Sequence, residues 1–195
     1  FNIFENLLDG VESKIDLIDC NGRYSINICS VGIDARIGTD VHKYSRLPFI
    51  SGRRAYIFST LVNFIKGIGR SLTVRLDGTA LKGEFSLICA CNGRYYGGGF
   101  NPIPDAEPDD GQLDFLIVRK VPRLTFAKLI GKYKSGRYKE LPRDIVTYHR
   151  GPYLRVESAE KMVINIDGEM QESKVADFRV APSALRFFFP RGTHW

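Results

Sequence analysis

The sequence lacks the motifs and the long hydrophobic runs that identify several large classes of protein. It contains no Walker phosphate-binding loop and no dinucleotide-binding glycine fingerprint, so we assign no nucleotide-binding residue to this chain. No apolar run is long enough to cross a bilayer, because Asn63 and Lys66 interrupt the longest candidate. Glu5 and Asp9 stand where a signal peptide would have a basic and then an apolar segment, so none is predicted. Since the chain opens at Phe1 rather than Met, we expect a piece of a longer protein.

Cysteine and histidine are scarce, which argues against several kinds of catalytic and metal centre. The cysteines lie in apolar, strand-like segments without the paired spacing of a zinc site. We therefore expect reduced structural thiols and a cytoplasmic protein. The histidines are scattered, support no catalytic dyad and are predicted to lie on the surface. The cysteines are Cys20, Cys29, Cys89 and Cys91, and the histidines are His42, His149 and His194.

Positive charge is in excess and is concentrated in one segment. The formal net charge is +6, and the segment from Arg119 to Arg143 contains many basic residues but a single acid, Glu140. Aromatic and aliphatic residues are interleaved with these charges, which is typical of a basic amphipathic helix. Such a helix suits either a solvated face of the protein or an anionic membrane surface. No nucleic-acid-binding module is recognisable, so we expect no nucleic-acid partner and favour lipid among anionic partners.

Most of the chain alternates between apolar and polar residues, as β-strands do. Residues 72–76 alternate in this way, and Asp77-Gly78 is predicted to be the hairpin turn into residues 80–91. Helical periodicity is limited to residues 1–8, 53–68 and 124–135. The pattern predicts a mainly β single domain over residues 1–195, folded as an antiparallel β-sandwich or barrel with two or three short helices. The other predicted strands are residues 15–18, 25–31, 113–118, 154–157, 162–166, 175–180 and 185–189.

An acidic stretch rich in glycine and proline, residues 97–114, separates two predicted strands. Its composition predicts that it breaks both helix and sheet and buries almost no apolar surface. It is either an ordinary long surface connection or a loop with a function. A second acidic turn, Asp167-Gly168-Glu169, occurs late in the chain and favours the second interpretation.

Short motifs along the chain form a recognisable succession. It resembles the C-terminal domain of the bacterial diacylglycerol kinase and lipid kinase family, which includes the sphingosine kinases and is related in fold to the NAD kinases. The resemblance extends from about residue 15 to residue 190. The motifs are NICSVGIDA at 27–35, GRRAY at 52–56, NGRYYGGG at 92–99, PDA at 104–106, DDGQLD at 109–114 and DGE at 167–169.

The resemblance implies a two-domain kinase of which this chain is the second domain. In the family an N-terminal α/β domain holds ATP through a Gly-Gly-Asp-Gly-Thr loop, and the C-terminal β-sandwich closes the active-site cleft. The N-terminal ATP-binding domain is absent from this chain and is its expected partner. The implied function is the transfer of phosphate from ATP to a lipid hydroxyl, with diacylglycerol as the acceptor. We expect this piece to be inactive by itself.

The resemblance also assigns roles to particular residues. Glu169 matches the residue that the family uses as catalytic base, whereas the residues alone favour a plain hairpin turn with a solvated Glu169. Asp110, with backbone oxygens at Glu107 and Gln112, matches the family's structural magnesium site. One carboxylate and two carbonyl groups suit a hard cation that keeps several waters.

Other residues near these motifs are candidates to which the sequence assigns no specific role. Asp105, Asp109 and Asp114 are alternative metal ligands that the sequence does not rank. Asn92, Asp34 and the glycines at 97–99 are expected to face the same cleft.

Two alternatives to a diacylglycerol kinase remain open. The first is a kinase for another hydroxyl acceptor, either a sphingoid base or NAD. The second is a non-catalytic lipid-binding module. In each of the lipid interpretations, peripheral association with the inner membrane surface is a further expectation, and a homodimer is left open.

Overall fold

A computed structural model describes residues 8–32, 69–96 and 99–191 of the chain. Within these ranges the chain is mostly β-strand, as predicted. The predicted helix at 53–68, all but the last residue of the predicted helix at 1–8, and Asp34, His42 and His194 fall outside this description. The strands are β1 (Val11–Cys20), β2 (Arg23–Ser25), β3 (Ile28–Gly32), β4 (Arg70–Leu76), β5 (Thr79–Cys91), β6 (Leu113–Arg119), β7 (Val146–Gly151), β8 (Tyr153–Ile166) and β9 (Glu169–Phe189).

All of the strand pairs are antiparallel. The strands lie in the order β2-β1-β9-β8-β3-β5-β6-β7, and β4 pairs with both β5 and β8. The two long strands β5 and β8 are therefore bridged by β3 at one end and by β4 at the other. This arrangement confirms the predicted antiparallel β architecture.

Three tight turns use an Asn-Gly or Asp-Gly pair in which both residues have positive φ. The φ angles are 53° and 81° at Asn21-Gly22, 44° and 73° at Asp77-Gly78, and 48° and 98° at Asp167-Gly168. Positive φ at both central residues defines the type I′ turn, whose twist matches that of the strands it joins. The predicted turn at Asp77-Gly78 is confirmed.

Two apolar cores lie on opposite faces of the sheet. The first core contains large side chains from most of the strands, including Phe85, Phe115 and Phe178, all at most 1% exposed. The second core lies under the helix α1 (Arg123–Lys134) and the acidic loop. Ile103 and Ala106 of the acidic loop are fully buried in this second core. The expectation that the loop buries almost nothing apolar is therefore wrong.

Helix α1 confirms the helix predicted at 124–135, but other predictions need correction. Strand β7 was not predicted. Most of its residues are exposed or half-exposed, and its sequence lacks a clear alternation of apolar and polar residues. The strand predicted at 25–31 is two strands, since the chain turns a corner at Ile26 and Asn27. His149 is not a free surface residue: its ring stacks on Phe115 at 6.0 Å between centroids. The four cysteines form no disulfide and are buried, as expected of structural thiols.

Candidate functional site

The turn between β8 and β9 presents Glu169 to solvent. Glu169 is the first residue of β9, pairs with Ile166 of β8, and is exposed. Among the described residues, no group forms a hydrogen bond or an ion pair with its carboxylate. The Glu169 carboxylate is therefore exposed and unpaired within the described part of the chain.

The carboxylate of Asp167 fixes this turn to the corner between β2 and β3. It accepts hydrogen bonds from the backbone N–H groups of Ile26 at 2.6 Å, Asn27 at 3.2 Å and Ile28 at 2.8 Å. The backbone N–H of Asp167 donates in return to the Ile28 carbonyl at 3.0 Å. The side-chain oxygen of Asn165 accepts the Gly168 N–H at 2.7 Å. The turn is thus held by contacts on both sides.

Asn92 holds the same corner from the opposite side. Its side-chain amide, 1% exposed, donates to the carbonyls of Asp16 at 2.9 Å and Ile26 at 2.8 Å. The backbone N–H groups of Asn92 and Gly93 both donate to the Asn27 carbonyl. Asn92 is therefore buried and joins two segments of backbone.

Asp16 fixes the acidic loop against β1, and the sequence analysis did not identify it. The residue is 1% exposed. One carboxylate oxygen accepts the Gly111 N–H at 2.7 Å, and the other accepts the Ser183 N–H at 2.7 Å. Its own N–H donates to the Pro108 carbonyl at 2.6 Å. The available signal was an acid between apolar residues of a strand.

Asp110 lies at the turn of the acidic loop beside a cation. Its Oδ1 accepts the Gln112 N–H at 2.8 Å, and its Oδ2 is in contact with the guanidinium of Arg150. The described residues contain no cluster of three His, Cys, Asp or Glu side chains that could hold a metal ion. A hydrated hard cation at Asp110 would have to displace the guanidinium of Arg150, because the two positive charges compete for the same carboxylate. The backbone carbonyls of Glu107 and Gln112 would supply the other protein ligands.

The alternative carboxylates of the loop differ in their surroundings. Asp105 forms an ion pair with Lys139 at 2.7 Å, and the hydrogen bond from Lys139 lowers the pKa of Asp105. Asp114 is buried and accepts the Tyr148 hydroxyl at 2.6 Å, while burial raises the pKa of Asp114. Asp109 is exposed. Asp105 and Asp110 thus both face a cation, and these contacts rank neither above the other.

Much of the basic segment is neutralised by local partners. Glu140 pairs with Lys132 at 3.2 Å and with Arg137 at 3.6 Å. Lys134 lies over the ring of Phe100, 5.6 Å from its centroid. Lys128 and Arg143 are exposed, and within the part of the chain that the structure describes neither has a charged partner.

The apolar side of α1 faces the protein. Phe126, Leu129 and Ile130 pack on the second core, and Tyr133 is buried within it. Leu124 is the large apolar side chain of the described helix that is largely exposed. Among the described residues, no helix combines the length and the apolar character needed to cross a membrane.

The domain is an antiparallel β structure with an unpaired carboxylate on a hairpin turn and an acidic loop held to β1. The resemblance to the lipid kinase family leads us to expect this arrangement in a second domain. The chain belongs to the family described as the YegS C-terminal NAD kinase beta sandwich-like domain, whose sequence profile matches residues 27–189. The resemblance stated from the motifs is confirmed.

Similar proteins carry names of the same kind. A Pseudomonas aeruginosa (strain PAO1) protein named "Probable lipid kinase YegS-like" is 31% identical over 189 residues, which are 96% of this chain and 60% of that protein. A Staphylococcus aureus (strain MSSA476) protein whose name suggests a lipid kinase is 25% identical over 182 residues, which are 93% of this chain and 59% of that protein. The chain thus spans about 60% of the length of these relatives.

A solved structure shares the fold. The crystal structure of a diacylglycerol kinase from Bacillus anthracis str. Sterne aligns with a TM-score of 0.62 at 17% identity and covers 94% of this chain and 56% of that one. At this identity the match shows the fold alone.

Proposed function

We propose that this chain is the substrate-side domain of an ATP-dependent lipid kinase that phosphorylates the hydroxyl of diacylglycerol, with Glu169 as general base. The observation that carries the proposal is an exposed, unpaired carboxylate on a turn that is hydrogen-bonded on both sides. The family and the names of the relatives support the class of reaction.

The role of Glu169 follows from the chemistry of phosphoryl transfer. An alcohol is a poor nucleophile at neutral pH, so a positioned carboxylate speeds the reaction by accepting its proton. The lipid oxygen forms a bond to the γ-phosphorus, the bond from that phosphorus to the β–γ bridging oxygen breaks, and ADP leaves. Glu169 holds the proton and later releases it to water. ATP itself is held by the N-terminal domain.

The acidic loop has a structural part in this proposal. Asp110 and the backbone oxygens of Glu107 and Gln112 would hold Mg²⁺, which supplies a fixed positive charge that orders the loop. Asp16 holds the loop through Gly111 and Pro108. No bond-making step passes through this site.

The membrane part of the proposal uses the basic segment. Because most of the large apolar residues of α1 pack inward, its contact with a bilayer would rest mainly on exposed charges at the surface. We place the protein peripherally on anionic membranes, through residues such as Lys128 and Arg143.

The direct experiment supplies the purified full-length protein with labelled ATP and one acceptor at a time. Diacylglycerol in mixed micelles, sphingosine in the same micelles, and NAD in buffer are the three acceptors. We expect labelled phosphatidic acid and at most traces of the other two products. Label on NAD alone, or on no acceptor, would overturn the proposal.

The same assay applied to residues 1–195 separates folding from chemistry. We expect this piece to unfold cooperatively and to transfer no phosphate. Measurable kinase activity in it would show that the domain assignment is wrong.

A further inference from the structure

The carboxylate of Asp167 is bound by three consecutive backbone N–H groups, which is more than a hairpin turn requires. Each carboxylate oxygen takes part: Oδ2 accepts from Ile26, Oδ1 accepts from Ile28, and the Asn27 N–H lies between the two at 3.2 and 3.3 Å. We propose that Asp167 is a positioning residue that sets the direction of the Glu169 carboxylate. This inference rests on the function proposed above.

The two other turns of the same conformation show that the turn itself does not need this contact. At Asp77-Gly78 the carboxylate faces the Nε2 of His149 at 3.2 Å. At Asn21-Gly22 the side-chain amide donates to the Val175 carbonyl and accepts from the Asp177 N–H. Both side-chain types therefore adopt this backbone conformation, and the contact with three N–H groups is particular to Asp167.

Glu169 depends on this contact because it has no partner of its own. It lies two residues after Asp167, and its carboxylate is unpaired among the described residues. Its position follows from the backbone of the turn and from its pairing with Ile166. The corner at 26–28 is in turn held by Asn92. The direction of the Glu169 carboxylate is thus set by the backbone, and Asp167 fixes that backbone to a corner that Asn92 also holds.

Asp167→Asn is the variant that tests this role. Asparagine tolerates the left-handed conformation, as Asn21 shows at φ 53°, so the turn is retained. The new amide can accept from Ile26 or from Ile28 but not from both, because its NH₂ group opposes the remaining N–H. Asp77→Asn is the matched control, since it makes the same change in the same kind of turn.

The first measurement is amide hydrogen exchange of the full-length protein, in peptides that cover residues 23–31. We expect faster exchange there in Asp167→Asn and no change in Asp77→Asn. Unchanged exchange in Asp167→Asn would show that the three hydrogen bonds do not hold the corner, and the inference would fail without any reference to activity.

The second measurement is the lipid kinase activity of Asp167→Asn, Glu169→Gln, the double variant and Asp77→Asn. A misplaced catalytic group commonly costs about 10²-fold, so we expect Asp167→Asn to lower kcat by roughly 10–100-fold with the KM for ATP unchanged. In the Glu169→Gln background the same change should have no further effect, because there is no base left to position.

The outcomes separate the inference from the proposed function. If Glu169→Gln is impaired and Asp167→Asn is not, the positioning role is wrong and the base stands. If Asp167→Asn costs the same in both backgrounds, it acts through general structure and the inference is wrong. If Glu169→Gln keeps wild-type turnover, the base assignment fails and the inference fails with it.

Discussion

The side-chain amide of Asn92 donates a hydrogen bond of 2.9 Å to the backbone carbonyl of Asp16, and this bond joins the two halves of the candidate site. On one side, the same amide binds Ile26, whose N–H is held by Asp167 beside Glu169. On the other side, Asp16 holds Gly111, the neighbour of Asp110. Glu169 and the proposed metal site are therefore joined through one hydrogen-bonded framework.

Asp16 is the residue of this framework whose loss should cost most stability. In Asp16→Asn one of the two N–H donors, Gly111 or Ser183, would face an NH₂ group in a buried setting. A hydrogen bond to a charged group contributes about 1.5–3 kcal/mol, and a buried donor left unpaired costs a similar amount. We expect a loss of about 2–4 kcal/mol, measured by denaturant unfolding of residues 1–195.

Asp19 provides the matched control on the same strand. Its Oδ1 also accepts a backbone N–H, that of Gly22 at 2.8 Å, but this bond is exposed to solvent. Asp19→Asn should cost less than about 1 kcal/mol, because water replaces the lost bond. Equal losses in the two variants would contradict a special role for the buried carboxylate.

Magnesium should stabilise the acidic loop through Asp110. We expect Mg²⁺ to raise the melting temperature of the full-length protein and Asp110→Ala to abolish that rise. Because one carboxylate with several waters holds Mg²⁺ weakly, the effect should need millimolar metal, as an order of magnitude. Asp110→Ala should also lower activity when Mg²⁺ is limiting.

The control for the metal is Asp109→Ala, the exposed neighbour. It should leave the response to Mg²⁺ unchanged. A rise in melting temperature that survives in Asp110→Ala would place the metal elsewhere. Among the described residues, the Asp110 carboxylate would then have the guanidinium of Arg150 as its charged partner.

The strands were predictable where the chain alternates strongly, and less so at the edge of the sheet. The type I′ turns at Asp77 and Asp167 follow from the Asp-Gly pair itself, since few other residues adopt positive φ twice in succession. Strand β7 escaped prediction because an edge strand is solvated on more than one side. The corner at Ile26 escaped because it is fixed by Asp167, 141 positions away in the sequence.

The candidate site shows the same division between local and long-range information. Glu169 and Asp110 lie in short motifs that can be recognised locally. Asp16 and Arg150 do not, because their importance comes from partners that folding brings close. The carboxylate of Asp16 can be buried because it accepts hydrogen bonds from the N–H groups of Gly111 and Ser183. These residues lie 95 and 167 positions later in the sequence.

Membrane association should depend on the exposed basic residues rather than on the whole basic segment. Lys132 and Arg137 already pair with Glu140, whereas Lys128 and Arg143 are exposed and without charged partners among the described residues. A basic residue near an anionic surface contributes about 1 kcal/mol. We expect Lys128→Ala with Arg143→Ala to weaken binding of the full-length protein to anionic vesicles by roughly 10–30-fold at low salt.

Vesicle sedimentation measures this effect, and Lys174 supplies the control. Lys174 is exposed on β9, away from α1 along the chain, and Lys174→Ala should leave binding nearly unchanged. Binding that is indifferent to anionic lipid content and to salt would remove the electrostatic proposal.

The last prediction concerns Glu169 as general base. Glu169→Gln keeps the size of the side chain and its reach for hydrogen bonds, but the amide cannot take the proton of the lipid hydroxyl. Positioned proton transfer contributes about 10²–10⁴-fold in rate, so kcat of the full-length protein should fall by that order. Folding and ATP affinity should be nearly unchanged, because the carboxylate has no partner in the described part of the domain. Glu172→Gln is the control, since Glu172 is equally exposed on the same strand but does not follow the Asp-Gly turn, and its turnover should stay close to that of the wild type. Near-normal turnover in Glu169→Gln would leave Asp167-Gly168-Glu169 as a hairpin turn without a catalytic role.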